Sequence, residues 1–235
     1  MARNRASQIL TGFGLLILTA GVYTVTIGVA ATAQAPRIDA PYVASADRPP
    51  NDVTPPMIPP APLAASQPVA LSIPRLGMHR DLGEVGLGPD GQIEVPPVGP
   101  TYDQPAWYRY SPTPGERGPS VIEGHLDTPE GKPSVFYGLA LLTPGDDIVV
   151  TREDGKILTF RITEVARYSK AEFPTQAVYG DMDHPGLRLL TCGGSLDGDG
   201  NYVDNVVVFA TLVAAADPVE AGTSERTGYR LAPWA

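Results

Sequence analysis

The sequence is poor in cysteine, since Cys192 is the only one among 235 residues. A single thiol forms no internal disulfide, and the same count excludes a zinc site built from several cysteines. Imidazole ligands are also few, because the chain has only His79, His125 and His184. A lone cysteine is either a small buried residue or a reactive thiol, so the function depends on which of these Cys192 is.

Clustered positive charge is missing as well. The chain has 17 Lys and Arg residues against 26 Asp and Glu residues, which gives a formal net charge of −9. Proteins that bind nucleic acid need grouped basic side chains to neutralise phosphates, and the sequence has no such group. We therefore expect no nucleic-acid partner.

Aromatic residues make up only 7% of the chain, whereas prolines and glycines are many, at 26 and 25. This composition disfavours long helices and favours turns and short strands. Seven short runs rich in apolar and β-branched residues are predicted as strands: 69–73, 91–95, 120–124, 147–152, 156–167, 187–191 and 205–213. A short helix is predicted over 134–142, and Asp154-Gly155 is predicted to form a hairpin turn. The pattern is typical of an all-β barrel or sandwich.

One long apolar run does occur, near the N-terminus. No charged residue lies between residues 6 and 35, and residues 9–31 are predominantly apolar. That length covers the roughly 20 residues that a helix needs to cross a bilayer. Arg3 and Arg5 precede the run, so residues 1–8 are predicted to lie in the cytoplasm. We expect a single-pass anchor in the cell membrane, with the rest of the chain outside.

A cleaved signal peptide is the alternative, because Ala31-Thr32-Ala33 resembles a cleavage site. Both interpretations place the following residues outside the cell. Residues 32–68 are rich in proline and are predicted to form an extended spacer. The folded domain is predicted to span 69–213, and residues 214–235 are predicted to form a C-terminal extension.

Cys192 directly follows the apolar run 187–191 and precedes Gly193 and Gly194. Glycines allow a sharp turn and the close approach of a ligand. A thiol between a strand and such a loop is held on one side and open on the other, which suits a nucleophile. The alternative is a small core residue, which is common for a free cysteine.

A histidine with an acidic neighbour lies upstream, in the segment Glu123-Gly124-His125-Leu126-Asp127. Histidine acts as a general acid or base near neutral pH, and a Cys–His pair is a known way to activate a thiolate. The alternative for His125 is a structural or surface histidine. His79 and His184 are predicted to lie in loops and to have no catalytic role.

Together these segments resemble the sortase family. The resemblance runs in order over roughly residues 71–212, and it is carried by the segments 105–108, 121–128, 173–175, 178–180, 187–194 and 202–208. Thr-Cys-Gly-Gly at 191–194 and Asp-Asn-Val-Val-Val at 204–208 are similar to the class F branch.

The resemblance implies an eight-stranded closed β-barrel with short helices or 3-10 turns, preceded by the transmembrane helix. It implies a cysteine transpeptidase that cuts a C-terminal sorting signal of the Leu-Pro-x-Thr-Gly kind between Thr and Gly. The thioacyl enzyme would pass its acyl group to a cell-wall amine or to water. Surface proteins bearing the signal and a cell-wall precursor are the implied partners, and Cys192 and His125 are the implied catalytic pair.

The chain departs from the family at the usual arginine of the strand after the cysteine. No arginine lies between Cys192 and Ala210, and Asn205 occupies the expected position. An asparagine amide donates a hydrogen bond to an oxyanion but brings no charge. Arg188, four residues before Cys192 on the same face of a strand, is the other candidate, with a structural ion pair as its alternative role.

Two other functions stay open at this point. An L,D-transpeptidase also uses Cys–His chemistry, but its motif differs from the residues around Cys192. A membrane-tethered barrel that binds cell-wall polymer without catalysis is the second. Asp197, Asp199 and Asp204 lie close together, and carboxylates bind Ca²⁺, although their spacing matches no calcium loop and a solvated loop is the simpler interpretation. We expect no required cofactor.

Overall fold

The structure, a computed structural model, describes residues 58–218. These residues form nine strands: β1 (Pro68–Ile73), β2 (Met78–Asp81), β3 (Gly83–Val85), β4 (Ala106–Tyr108), β5 (Gly118–Glu123), β6 (Asp147–Arg152), β7 (Ile157–Ser169), β8 (Pro185–Leu196) and β9 (Tyr202–Ala216). The helical elements in this range are one short α-helix and three 3-10 helices: α1 (Thr175–Tyr179), Pro74–Leu76, Leu139–Leu141 and Lys170–Glu172. None of the helices in the described range is long and apolar enough to cross a membrane. The predicted anchor at 9–31 lies outside the described residues.

The nine strands form one sheet in the order β2-β1-β6-β7-β9-β8-β5-β4-β3. Strands β2 and β3 lie at opposite edges, yet only Leu82 separates them in the chain. The Leu82 amide donates to the Val69 carbonyl at 2.9 Å, and the Gly83 amide donates to the Pro105 carbonyl at 2.8 Å. The chain therefore changes its pairing partner at Leu82 and nearly closes the sheet into a barrel.

The predicted all-β barrel with few helices is confirmed, while the strand count is nine instead of eight. The physical reason is the break at Leu82, since β2 and β3 together occupy the place of one strand that bridges the two sheet edges. Closure of this kind leaves few unpaired backbone groups at a sheet edge.

Some of the strand predictions are confirmed, and others are wrong. The strand at 147–152 and the hairpin at Asp154-Gly155 are confirmed, and β7, β8 and β9 are longer than predicted. The strand predicted at 91–95 is wrong, because this segment forms a turn with one isolated bridge between Leu87 and Ile93. The helix predicted at 134–142 is reduced to the 3-10 helix Leu139–Leu141. Strands β2, β3 and β4 are short and lack an apolar run, so the pattern did not reveal them.

The central strands bury both of their faces. The inner face fills the barrel with side chains that include Ile122, Leu187, Leu189 and Val208. The outer face of the same strands carries a second apolar cluster, to which α1 contributes Val178: Val121, Ala166, Val178, Leu190, Val207 and Phe209. The alternation follows from the two-residue period of a strand. The second cluster forms the floor on which the candidate site lies.

The packed part of the chain extends beyond the predicted 69–213 at both ends. The Leu63 amide donates to the Gly115 carbonyl at 2.8 Å, and Leu63 packs against the main core. At the other end, residues 214–216 are part of β9 and pair with the start of β7. The end of the predicted spacer and the start of the predicted extension therefore belong to the barrel.

Candidate active site

Cys192 lies on β8, directly opposite Asn205 of the antiparallel strand β9. Its side chain is partly exposed. Strand β8 does not end at the cysteine, as the sequence suggested, but continues to Leu196 through an irregular register after Gly193. Gly194 has φ of +79°, and a Cβ there would collide with the Asp204 carboxylate, so a side chain at this bend would be strained.

His125 is brought to Cys192 by the parallel pairing of β5 and β8. In this pairing Glu123 lies opposite Leu190, and the Gly124 amide donates to the Leu190 carbonyl at 3.2 Å. Parallel strands end at the same edge of a sheet, so the residue after β5 comes beside the distal half of β8. His125 and Cys192 consequently line the same cleft.

The cleft is large and open. It encloses about 1490 Å³ above the outer face of β5 and β8. Sites for small molecules usually enclose about 300–1,000 Å³, so this cleft has room for a peptide segment. The segment between β7 and β8, which contains the 3-10 helix Lys170–Glu172 and α1, forms the opposite wall.

The imidazole of His125 is held by two contacts. Its Nε2 lies 2.7 Å from the Pro96 carbonyl oxygen, which only accepts a hydrogen bond. Nε2 therefore carries a proton, and Nδ1 is the nitrogen left for proton exchange. The ring also stacks on Tyr102, with centroids 3.9 Å apart and planes 2° apart.

The loop that carries His125 is anchored by Asp127. The Asp127 carbonyl accepts a hydrogen bond from the Tyr102 hydroxyl at 2.9 Å, and its carboxylate accepts one from the Tyr202 hydroxyl at 2.6 Å. Burial and this hydrogen bond both raise the pKa of Tyr202. The sequence pattern marks neither Tyr102 nor Tyr202 as a site residue, since these tyrosines and Asp127 are brought together only by the fold.

Lys170 is the main contact that the sequence did not reveal. Its Nζ lies 3.8 Å from the Cys192 Sγ, and the side chain is exposed on the cleft rim. The Ser169 hydroxyl caps this 3-10 helix by accepting from the Ala171 amide at 3.2 Å. No local signal marks a lysine 22 residues before the cysteine as its neighbour.

Two opposing effects set the acidity of the thiol. Burial raises the pKa of Cys192 above its ordinary value and is the largest cause, while the Lys170 ammonium lowers the pKa. The carboxyls of Glu123 and Asp127 add a smaller upward contribution. Because the net direction is upward, the free thiol stays protonated at neutral pH and needs a base to become a nucleophile.

The structure separates the two candidates for the third position. Asn205 lines the cleft opposite Cys192. Arg188 is buried, and its guanidinium lies over the Phe209 ring at 4.6 Å and donates to the Leu187 carbonyl at 3.0 Å.

The side chain of Arg188 also points away from the thiol. A Cβ at Gly186 would lie 3.3 Å from its Nη1, which places the guanidinium on the side away from Cys192. Burial lowers the pKa of Arg188 to about 10. The guanidinium therefore does not line the cleft that contains the thiol.

The remaining predicted candidates lie elsewhere. His79 is on β2 and hydrogen-bonds the Ser72 hydroxyl at 2.6 Å, so its placement in a loop is wrong. His184 precedes β8 and contacts Asp183. Within residues 58–218, no group of three or more His, Cys, Asp and Glu side chains is arranged to hold a metal ion.

Two of the three aspartates considered for calcium have other contacts for their carboxylates. The Asp197 carboxylate accepts hydrogen bonds from the Asp199 and Asn201 amides at 2.9 Å and 2.8 Å. The Asp204 carboxylate lies 3.4 Å from Nε of Arg167. A turn and an ion pair thus account for two of these carboxylates.

A β-barrel that presents a partly exposed thiol and an oriented imidazole on one cleft defines a candidate cysteine enzyme. The family model for the sortase domain matches residues 71–213. The chain therefore belongs to the sortase family, whose members are cysteine transpeptidases. No curated protein sequence matches the chain.

Several solved sortases are similar in structure. Sortase A of Listeria monocytogenes is 14% identical, with a TM-score of 0.48, over 67% of this chain and 93% of that chain. A sortase D5 transpeptidase of Clostridium perfringens is 23% identical, with a TM-score of 0.46, over 63% and 79% of the two chains. Sortase C of Streptococcus pneumoniae is 14% identical, with a TM-score of 0.47, over 63% and 67%.

Proposed function

We propose that the protein is a sortase-type transpeptidase in which Cys192 is the nucleophile and His125 is the acid–base catalyst. The observation that carries the proposal is the pairing of β5 with β8, which brings these two side chains to one cleft. The Pro96 carbonyl leaves Nδ1 of His125 free for proton exchange, and Cys192 is partly exposed. These are the two functional groups that covalent acyl transfer requires.

The reaction proceeds in two balanced steps. His125 takes the proton of the Cys192 thiol, and the sulfur attacks the carbonyl carbon of the threonine in a Leu-Pro-x-Thr-Gly-like sorting signal. The Thr–Gly bond breaks, His125 returns the proton to the departing glycine amine, and a thioester remains. A cell-wall amine then attacks the thioester, an amide forms, and the released thiolate takes up the proton of that amine. Water in place of the amine gives hydrolysis.

The electrostatic role of the usual sortase arginine falls, in this proposal, to Asn205 and Lys170 together. Asn205 offers an amide donor beside Cys192, and Lys170 offers a positive charge 3.8 Å from the sulfur. Charge and directional hydrogen bonding, which one guanidinium combines, are then divided between two side chains. Arg188 is the alternative, and separate replacement of Asn205 and Arg188 with alanine distinguishes the two.

The proposal also covers the sortase class, the membrane anchor, the partners and the cofactor requirement. The segments 191–194 and 204–208 support assignment to class F. The apolar run at 9–31 supports a single-pass membrane anchor that keeps the barrel outside the cell. The substrates are surface proteins that bear a C-terminal sorting signal, and the acceptor is an amine of a cell-wall precursor. The proposed chemistry uses no cofactor. A calorimetric titration tests whether Asp197, Asp199 and Asp204 bind Ca²⁺, and an absence of heat would support a solvated loop.

A peptide library tests the proposal directly. The purified full chain is incubated with Leu-Pro-x-Thr-Gly-like peptides and a panel of amines, and products are identified by mass spectrometry. We expect cleavage between Thr and Gly, a thioacyl adduct on Cys192, and loss of both products in Cys192→Ala.

The alternative, a barrel that only binds cell-wall polymer, predicts a different result. A thiol-directed electrophile would then modify Cys192 no faster than free cysteine, and no peptide would be cleaved. Cleavage that survives in Cys192→Ala would also contradict the proposed mechanism.

A further inference from the structure

Glu123 is a carboxylic acid on the floor of the cleft that the proposed reaction does not use. It is the last residue of β5, two positions before His125, and its side chain lines the cleft. Its neighbours along this wall include Tyr108, Val121 and Leu190. A carboxyl group in a wall of this kind loses much of its hydration.

No side-chain hydrogen bond or ion pair of the Glu123 carboxyl occurs within residues 58–218. The two cations on the cleft act on other groups, since Lys170 faces Cys192 and Arg117 lowers the pKa of Asp183. Burial alone raises the pKa of Glu123 to about 8. Glu123 is half-buried and its carboxyl is open to the cleft, and titratable groups with shifted pKa values in a cleft are concentrated at functional sites.

We propose that Glu123 determines the specificity of the cleft by pairing with a cationic side chain, lysine or arginine, of the sorting signal. The inference rests on the proposed sortase function. A cationic side chain of the substrate would pair with the Glu123 carboxyl, which has no such partner among residues 58–218. The pair would form in a partly desolvated site, where charge-assisted hydrogen bonds are strong. A neutral or acidic side chain at the same place leaves the carboxyl unpaired.

The register of the strands locates the substrate residue involved. Glu123 pairs with Leu190, which lies two positions before Cys192 on the neighbouring strand. Two residues along a strand span about 6.6 Å, and neighbouring strands lie about 4.8 Å apart, so Glu123 lies on the order of 8 Å from Cys192. An extended peptide covers that distance with two or three residues.

The acyl side of the signal is the side that reaches Glu123. From Cys192 the cleft runs back along β5 and β8 toward Gly118. The proposed signal has four residues before the cleaved bond and one after it, so the longer acyl side fits the longer arm of the cleft. The cation is therefore expected at x, the second residue before the cleaved bond, because the third residue of the proposed signal is proline.

A protonated Glu123 that donates a hydrogen bond to a peptide carbonyl is the competing role. Glu123→Gln separates the two roles, because glutamine still donates a hydrogen bond but carries no charge. Glu153→Gln is the matched control, since it removes the same charge from an exposed residue that does not line the cleft.

The experiment measures kcat/KM for Leu-Pro-x-Thr-Gly peptides that carry Lys, Met or Glu at x. We expect the wild-type chain to prefer Lys over Met at x by about tenfold or more, which corresponds to about 1.4 kcal/mol. The preference should disappear in Glu123→Gln, persist in Glu153→Gln, and turn toward the Glu peptide in Glu123→Lys. Thermal unfolding of each variant checks that it is folded.

Three results would overturn the inference. The wild type shows no preference for Lys at x, or Glu123→Gln keeps the preference, or Glu153→Gln loses it equally. The two proposals remain distinguishable, since Thr–Gly cleavage of the Met peptide without a Lys preference refutes the role of Glu123 alone. Absence of cleavage for every peptide refutes the sortase activity and this inference together.

Discussion

At the scale of single residues, the reactivity of Cys192 depends on a balance between burial and one nearby cation. Burial raises the pKa of the thiol, and Lys170, 3.8 Å from the sulfur, lowers it. The lysine side chain is exposed, so water screens its effect. The contribution of Lys170 is therefore modest and best measured through the thiol itself.

Replacing Lys170 with Met removes the charge and should raise the pKa of Cys192. At pH 7 the thiolate fraction falls, so we expect alkylation by iodoacetamide to slow by about threefold to tenfold. The rate is measured from pH 6 to pH 10, and the whole profile should shift to higher pH. Lys170→Arg keeps the charge and should retain the wild-type profile, so an equal shift in both variants would argue against an electrostatic role.

Asn205 and Arg188 are distinguished by separate replacement with alanine. Asn205→Ala removes the amide donor from the cleft, and we expect kcat for transpeptidation to fall by about tenfold or more, about 1.4 kcal/mol. Arg188→Ala removes a guanidinium that packs on Phe209, so we expect a lower Tm with kcat within about threefold of the wild type. A tenfold loss of kcat in Arg188→Ala at unchanged Tm would assign the role to Arg188 instead.

At the scale of elements, the loop after β5 determines where His125 lies in the cleft that it shares with Cys192. Tyr102 stacks on the imidazole, and Asp127 ties the loop to Tyr102 and Tyr202 through two hydroxyl groups. The loop also packs tightly, since a Cβ at Gly124 would lie 2.7 Å from the Phe136 ring. These contacts hold the loop, and with it the imidazole of His125, in a fixed position although the loop is not part of a strand.

Removal of the stacking ring should reduce catalysis more than removal of its hydroxyl. We expect Tyr102→Ala to lower kcat by about tenfold, because the imidazole loses the surface that fixes its plane. Tyr102→Phe keeps the ring and loses one hydrogen bond, so its kcat should stay within about threefold of the wild type. Steady-state kinetics with one cleavable peptide compares the two, and equal losses would contradict a role for stacking.

At the scale of the whole molecule, Arg152 joins the segment before β1 to the barrel. Its guanidinium is buried, donates to the carbonyls of Pro114 and Ala64 at 2.8 Å and 3.0 Å, and pairs with Asp154. A buried charge is stabilising only while all its partners are in place. The residues before Val69 therefore contribute to the stability of the domain.

Arg152→Met should destabilise the protein, because two carbonyls, one of them buried, and a carboxylate lose their donor. We expect a loss of about 3 kcal/mol, which corresponds to about 6–12 °C in Tm for a domain of this size. Arg161→Met is the control, since Arg161 pairs with Asp147 at the surface and such exposed pairs contribute about 0–1 kcal/mol. Thermal unfolding compares them, and similar losses in both variants would contradict this account.

The sequence by itself determined the elements that depend on local pattern. Alternating and β-branched runs predicted the central strands, and Asp154-Gly155 predicted a hairpin, because turn chemistry and side-chain period act over a few residues. The unpaired Cys192 and the histidine segment could be selected as candidates for the same reason. The pattern failed at 91–95 and at β2, β3 and β4, where short strands are stabilised by pairing partners more than by their own composition.

The tertiary structure decided which of these candidates meet. Cys192 and His125 come together through the parallel register of β5 and β8, and Lys170 and Tyr102 reach them from other segments. Barrel closure at Leu82 and the unpaired carboxyl of Glu123 are likewise invisible in the sequence. The physical reason is that strand register and closure depend on contacts between distant residues, whose free energy is shared over the whole barrel and leaves no local pattern.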